Sequence, residues 1–214
     1  HTRLCEACLA ELWPCESPNC DICGESFQTD ADASFTCQTC RDRSFAFEFA
    51  VAAYQSRGLV RELIHRFKYH RHLFLRPLLG QLMLKANEDP RLSDLDANWL
   101  AVPVPLHHRR YREREFNQAD ELSRVWSNDT GVPTVQALKR TRYTSSQTRY
   151  RRDQRMANLR GAFVVQKRFQ ARLQDRSVVL VDDVFTTGST AHECASILRE
   201  AGAKKVVVIT LARG

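Results

Sequence analysis

Apolar residues along this 214-residue chain change their spacing in a regular order from about residue 45 onward. FAFEFAVAAY, Phe45 to Tyr54, is dense in aromatic and small apolar residues and predicts an opening strand. In SRGLVRELIHRFKYH, Ser56 to His70, the residues Leu59, Val60, Leu63, Ile64 and Phe67 recur at helical spacing. HLFLRPLLGQLMLKANE, His72 to Glu88, predicts a second apolar-faced helix. WLAVPVP, Trp99 to Pro105, reads as a strand running into a proline-punctuated turn, and Phe116 to Asn128 returns to helical periodicity. A short strand is expected over Pro133 to Arg140, ahead of an arginine-rich stretch with no stable apolar period. SVVLVDD, Ser177 to Asp183, is apolar at consecutive positions, as in a strand covered on both faces. Ser189 to Ala203 predicts a helix closed by Gly202, and KKVVVITLARG predicts a last buried strand. Strand, helix, strand at this spacing is a right-handed crossover. The fold class is therefore α/β, a mainly parallel sheet flanked by helices, with ligands expected at the carboxyl ends of the strands.

The beginning of the chain follows another rule. Seven of the eight cysteines precede residue 41, and six of them form the C-x-x-C pairs Cys5/Cys8, Cys20/Cys23 and Cys37/Cys40. The composition changes after Cys40, which divides the chain into a Cys-rich region over 1–44 and an α/β domain over 45–214. No apolar run approaches the ~20 residues needed to span a bilayer, and HTRLCEACLAELW has no signal-peptide core, so a cytoplasmic location without membrane insertion is expected. Thiols stay reduced there, which favours a structural zinc over disulfides. Two C-x-x-C turns present four thiolates to one tetrahedral ion, so Cys20, Cys23, Cys37 and Cys40 are the expected ligands of a closed Zn²⁺ site. Cys5 and Cys8 then form half of a second, incomplete zinc site. The chain opens on His1 rather than Met, which reads as a piece of a longer sequence in which a further C-x-x-C completes that site. A contribution from Cys15, or a reduced pair packed as small hydrophobes, are the alternatives.

Charge adds a partner class. There are 32 basic against 25 acidic residues, and much of the excess sits in HHRRYRER, His107 to Arg114, and in Arg140 to Arg155. A polyanionic partner, phosphate or nucleic acid, accounts for this, and so does a solvated basic surface.

The sharpest chemistry lies in VVLVDDVFTTGST, Val178 to Thr190. Asp182 and Asp183 fall where the strand ends, and Thr186, Thr187, Gly188, Ser189 and Thr190 fill the turn into the next helix. Successive backbone N–H groups, hydroxyl donors and the positive end of a helix make such a turn a cradle for phosphate, and Gly188 lets the backbone approach it closely. Two carboxylates beside a phosphate need another task. They can accept hydrogen bonds from vicinal ribose hydroxyls or hold Mg²⁺ through its waters, and both tasks suit a ribose 5-phosphate.

This stretch resembles the 5-phosphoribosyl-1-pyrophosphate (PRPP) motif of type I phosphoribosyltransferases, including Phe185 between acids and hydroxyls. Together with the C-x-x-C pairs, FKYH (Phe67 to His70), VPVPLHHRRYREREFNQ (Val102 to Gln118) and Arg140 to Phe163, the whole chain resembles the ComF/GntX family. Its members join a Cys-rich zinc region to a type I phosphoribosyltransferase-like domain, usually with one more C-x-x-C ahead of the pair matching Cys5/Cys8. The resemblance implies Mg²⁺ with PRPP at the motif and a pyrophosphate loop around Val104 and Pro105. It also implies that Arg109, Arg110, Arg112 and Arg114 are placed to neutralise the pyrophosphate, only one or two of them pointing inward. Phe116, Asn117 and Gln118 would position that loop, though Asn117 also suits a helix cap. A hood spanning Arg140 to Arg160 would close over substrate through Arg142, Thr148, Arg152 and Arg155, and read alone this segment is a disordered basic loop.

Three functions follow from the resemblance. The first is a PRPP-binding protein that displaces pyrophosphate from ribose C1 by a nitrogen nucleophile if it turns over, its acceptor unidentified. The second is handling of incoming single-stranded DNA in natural transformation, with Tyr111, Phe116, Tyr143 and Tyr150 available to stack on bases or to pack in the core. The third is an adaptor whose zinc region docks on a helicase or replication partner. His65, His70, His107, His108 and His192 have no metal-ligand partners at useful spacing and receive no catalytic role.

Overall fold

The computed structural model describes residues 4–27, 35–70, 72–143 and 159–214. A short helix α1, Glu6–Ala10, and a single turn α2, Gln38–Arg41, lie in the Cys-rich region. Strand β1, Ala50–Gln55, is followed by α3, Gly58–Tyr69, and α4, Arg76–Met83. Strand β2, Trp99–Pro103, leads to α5, His108–Arg114, and α6, Gln118–Thr130. A small antiparallel pair, β3 (Leu138–Arg140) and β4 (Phe163–Val165), precedes the short helix α7, Gln170–Leu173. Strand β5, Ser177–Phe185, helix α8, Ser189–Glu200, and strand β6, Lys205–Arg213, complete the described elements.

The main sheet has the order β1-β6-β5-β2, and all its pairings are parallel. Its central strands carry unbroken apolar runs, 178–181 in β5 and 206–209 in β6, because both faces are covered. Val179, Val181, Val207 and Ile209 point to a layer that contains Val60, Phe67, Leu79, Leu122 and Trp126 from α3, α4 and α6. Val178, Leu180, Val206 and Val208 point the other way, onto Cys194, Ala195 and Leu198 of α8 and onto Leu138 and Phe163 of β3 and β4. Alternate side chains of one strand thus enter opposite layers, as the pleat requires.

The Cys-rich region packs into this second layer, with Cys20, Cys23, Cys37 and Cys40 buried in it beside Phe47 and Ala50. It also closes the free edge of β1. Ala50 N–H donates to the Ile22 carbonyl at 2.8 Å, Gln55 N–H to the Trp13 carbonyl at 2.7 Å, and Cys15 N–H to the Ala53 carbonyl at 3.0 Å. On the opposite edge, Ala101 N–H donates to the Pro133 carbonyl at 3.0 Å and Val135 N–H to the Ala101 carbonyl at 2.8 Å.

Several elements differ from their expected form. The opening strand starts at Ala50, although Glu48 N–H already donates to the Val206 carbonyl at 2.8 Å; Phe45 and Phe47 stack on each other 4.8 Å apart, and Phe47 packs against Phe185 at the end of β5. The second expected helix is α only over Arg76–Met83, with 3-10 turns at Leu73–Leu75 and Leu84–Glu88, since Pro77 starts a new helix rather than continuing one. Strand β5 runs two residues beyond Asp183, to Phe185. The arginine-rich segment after Leu106 forms α5, capped by the His107 side chain, which accepts from Arg109 N–H at 3.3 Å. Of the expected strand Pro133 to Arg140, Leu138–Arg140 forms β3 and pairs with β4, while Thr134 makes an isolated bridge to Ala101.

Candidate functional site

At the carboxyl end of β5 the two acids divide their roles. Asp183 is buried and its carboxylate pairs with the Lys68 ammonium from the last turn of α3, a contact of direct ion-pair range. Asp182 is partly covered, lines a small cavity, and accepts a hydrogen bond from Asp183 N–H at 2.9 Å. Burial pushes the Asp182 carboxyl well above the usual carboxylate range, and the neighbouring Asp183 charge pushes it further. Burial acts on Asp183 in the same direction, but the Lys68 ammonium outweighs it and holds that carboxyl below its ordinary value, with Arg114 adding to the effect. The two carboxyls are thus pushed apart in opposite directions, Asp182 upward and Asp183 downward. Two carboxyl groups side by side at a strand end suit vicinal hydroxyls or the waters of a divalent cation.

The turn from β5 into α8 supplies the rest of the cavity, which is lined by Val104, Asp182, Phe185, Thr186, Gly188, Ser189, Thr190 and Thr210. Thr187 and Ser189 hydroxyls share a hydrogen bond of 2.9 Å. Among the described residues, the N–H groups of Thr186, Thr187 and Gly188 have no acceptor, so they stand available to an anion. Gly188 has φ +75°, and a Cβ there would meet the Phe185 ring at 2.9 Å and the Phe45 ring at 3.1 Å. Glycine is needed at this turn for the left-handed backbone and for the aromatic rings packed behind it.

The opposite wall comes from β2 and its loop. Val104 N–H still donates to the Val181 carbonyl at 2.9 Å, while the Val104 carbonyl accepts from the Asn117 side chain at 3.0 Å. The Asn117 oxygen also accepts from Ala119 N–H at 3.3 Å, so this residue both holds the Val104 loop and caps α6. Pro105 borders an adjoining groove with Tyr111, Asn117, Gln136 and Arg140.

Of the four arginines of α5, Arg114 alone is buried; it donates to Gln118 Oε1 at 2.9 Å and lies close enough to bias Asp183. Arg109 and Arg112 are exposed, and Arg110 is half-buried beside Glu113 at 3.4 Å. Arg109 lies over the Tyr143 ring, 4.8 Å from its centroid. Arg142 donates to the Arg160 carbonyl at 2.8 Å. Thr148, Arg152 and Arg155 lie outside the described residues. The sequence reading gave no role to Lys68, whose only signal was its place in FKYH, or to Arg140, which borders the adjoining groove.

A second centre sits in the Cys-rich region. Cys20, Cys23, Cys37 and Cys40 are all buried, and their sulfurs lie within 4.8 Å of one another. Zn–S bonds of about 2.3 Å in a tetrahedron put sulfurs about 3.8 Å apart. Cys23 and Cys37 Sγ are 3.8 Å apart, so the four thiols fit one tetrahedral ion. Cys5, exposed, and Cys8, half-buried, lie in α1 and at its cap, outside this group, and no other group of three or more such ligands occurs among the described residues. No described helix is long and apolar enough to cross a membrane.

Comparison with known proteins places the chain among others of this build. A family model described as a phosphoribosyl transferase domain matches residues 119–214. Competence protein F of Haemophilus influenzae is 32% identical over 214 residues, covering 98% of this chain and 90% of that protein. DNA utilization protein YhgH of Escherichia coli K12 is 30% identical over 221 residues, with coverage of 94% and 96%. Competence protein ComFC of Bacillus subtilis is 25% identical over 217 residues, with coverage of 99% and 84%.

Proposed function

Because the chain belongs to the ComF/GntX family of competence-related proteins with a type I phosphoribosyltransferase-like domain, we propose that it binds Mg²⁺ and PRPP at the end of β5 and serves the cytoplasmic handling of incoming single-stranded DNA in natural transformation. The observation that carries this reading is the Asp182/Asp183 pair at the end of β5, with Asp183 held by Lys68, beside a turn whose hydroxyls and Gly188 line one small cavity. The 5-phosphate would sit against Thr186 to Thr190, the ribose hydroxyls against the acids, and the pyrophosphate near Val104, Pro105 and the inward Arg114. Mg²⁺ would carry charge on the pyrophosphate, and no side chain has to form a covalent bond for pyrophosphate to be displaced. Zn²⁺ would occupy the four-cysteine centre as a structural ion.

The DNA part of the proposal is supported by the names of the relatives and by the outer face of α5. There Arg109, Arg112 and the half-exposed Tyr111 stand together, and Arg109 stacks on Tyr143. Calorimetric titration with Mg²⁺ and PRPP tests the site. The intact chain is expected to bind, and Asp182→Asn with Asp183→Asn to lose at least about 2.7 kcal/mol of binding, a hundredfold. Equal binding by both proteins, or none by the folded intact chain, would set the proposal aside.

A further inference from the structure

Arg213, at the end of β6, joins the two centres. Its side chain is 8% exposed. One amino group of its guanidinium donates to Cys23 Sγ at 3.7 Å and to Glu25 Oε2 at 3.1 Å. The other donates to the Gly214 carbonyl and, at 3.4 Å, to the Phe185 carbonyl, which also accepts from Gly214 N–H at 2.8 Å, and the guanidinium lies over the Phe185 ring, 5.3 Å from its centroid. Phe185 is the last residue of β5, and its ring packs behind Gly188, so it sets the start and the back of the Thr186–Thr190 turn. A second path runs through Phe45 and Phe47, which follow Cys40 by a few residues. Phe47 meets Phe185 edge to face at 5.9 Å, and Ala46 N–H donates to His192 Nδ1 in α8 at 3.1 Å.

We infer that Arg213 is a positioning residue that couples the four-cysteine centre to the phosphate turn, so that metal at one and phosphoribosyl ligand at the other favour each other's binding. The physical cause is charge. Four thiolates around a divalent ion carry a net charge of about −2, and one of those sulfurs, Cys23 Sγ, already accepts from the guanidinium. With the ion held, the rigid guanidinium fork has an anionic partner on one side and keeps its other side on the Phe185 carbonyl. Without it, Glu25 is the remaining anion and the fork is less firmly placed. Partners just outside a metal shell commonly change metal affinity 10- to 100-fold. Linkage makes the effect reciprocal between the two sites.

This inference rests on the phosphoribosyl reading of the turn, so its test has one arm that uses the ligand and one that does not. In the first, zinc affinity of the full chain is measured by competition with a chromophoric chelator, with and without saturating Mg²⁺ and PRPP, for the parent, Arg213→Met and Arg213→Lys. The parent is expected to bind zinc about fivefold or more tightly with ligand present. That ratio should fall toward one in Arg213→Met and return in part in Arg213→Lys, which keeps the charge without the fork. In the second arm, hydrogen exchange is followed at residues 184–190 in the zinc-loaded proteins. Arg213→Met should exchange faster than the parent there and equally in β2 and α6, which also shows that the variant is folded. A ligand ratio near one in the parent, or a ratio unchanged in Arg213→Met, overturns the coupling. Should PRPP fail to bind at all, the exchange arm decides alone: equal exchange at 184–190 in parent and Arg213→Met sinks the inference independently of the proposed ligand.

Discussion

Asp182 and Asp183 are adjacent in sequence and opposite in electrostatic setting, and the difference is made by Lys68, far away in the chain. A carboxyl whose folded value is raised contributes stability that is complete below the ordinary value of about 4 and is lost as pH climbs through the raised value. Asp182 is such a group, so at neutral pH it weakens the ligand-free protein. Asp182→Asn keeps an oxygen for Asp183 N–H and removes the titration. In thermal unfolding without ligand it is expected to match the parent near pH 4 and to exceed it at pH 8, while binding at the site falls. An unchanged difference across that range would contradict the upward shift of the Asp182 carboxyl. The acid pair and the hydroxyls were legible because they are consecutive and chemically distinctive. Lys68 and Arg213 were not, because their roles depend on which strand ends the topology brings together, and a lone cation at a helix or strand terminus carries no pattern.

Among the elements, the strands and long helices could be read from the chain because burial on two faces, or on one, leaves its period in the sequence. Helix α5 was hidden by its arginines, since an exposed basic helix has no apolar stripe to show, and β4 was hidden by being three residues long. FAFEF misled for the converse reason: aromatic density signals burial, and these rings are drawn to Phe185 and His192 rather than to a strand partner. Helix packing carries a further expectation. At Gly80 of α4, an added Cβ would lie 2.5 Å from Val125 Cβ in α6. Alanine is worth about 1 kcal/mol over glycine in a helix interior, but forcing branched side chains apart in a packed core costs about 1–3 kcal/mol. Gly80→Ala should therefore lower the urea midpoint with little change in the slope, and a raised midpoint would show that α4 and α6 can separate freely.

For the molecule as a whole, the shift in composition near residue 44 marks a change of chemistry across which the backbone continues to hydrogen-bond. Trp13, Cys15 and Ile22 occupy the outer edge of β1, so removing residues 1–44 would leave a row of unpaired N–H and carbonyl groups on an apolar strand. Such a truncated chain is expected to self-associate in light scattering; a stable monomer would mean that the edge needs no cover. The order β1-β6-β5-β2 has another result, in time rather than in space. Strand β6 lies between β1 and β5 yet follows both along the chain, so on the ribosome β1 has no sheet neighbour until about 150 further residues have been made. At about 5–20 residues per second, that interval is on the order of ten seconds or more, during which the inner edge of the first-made strand waits unpaired for the last.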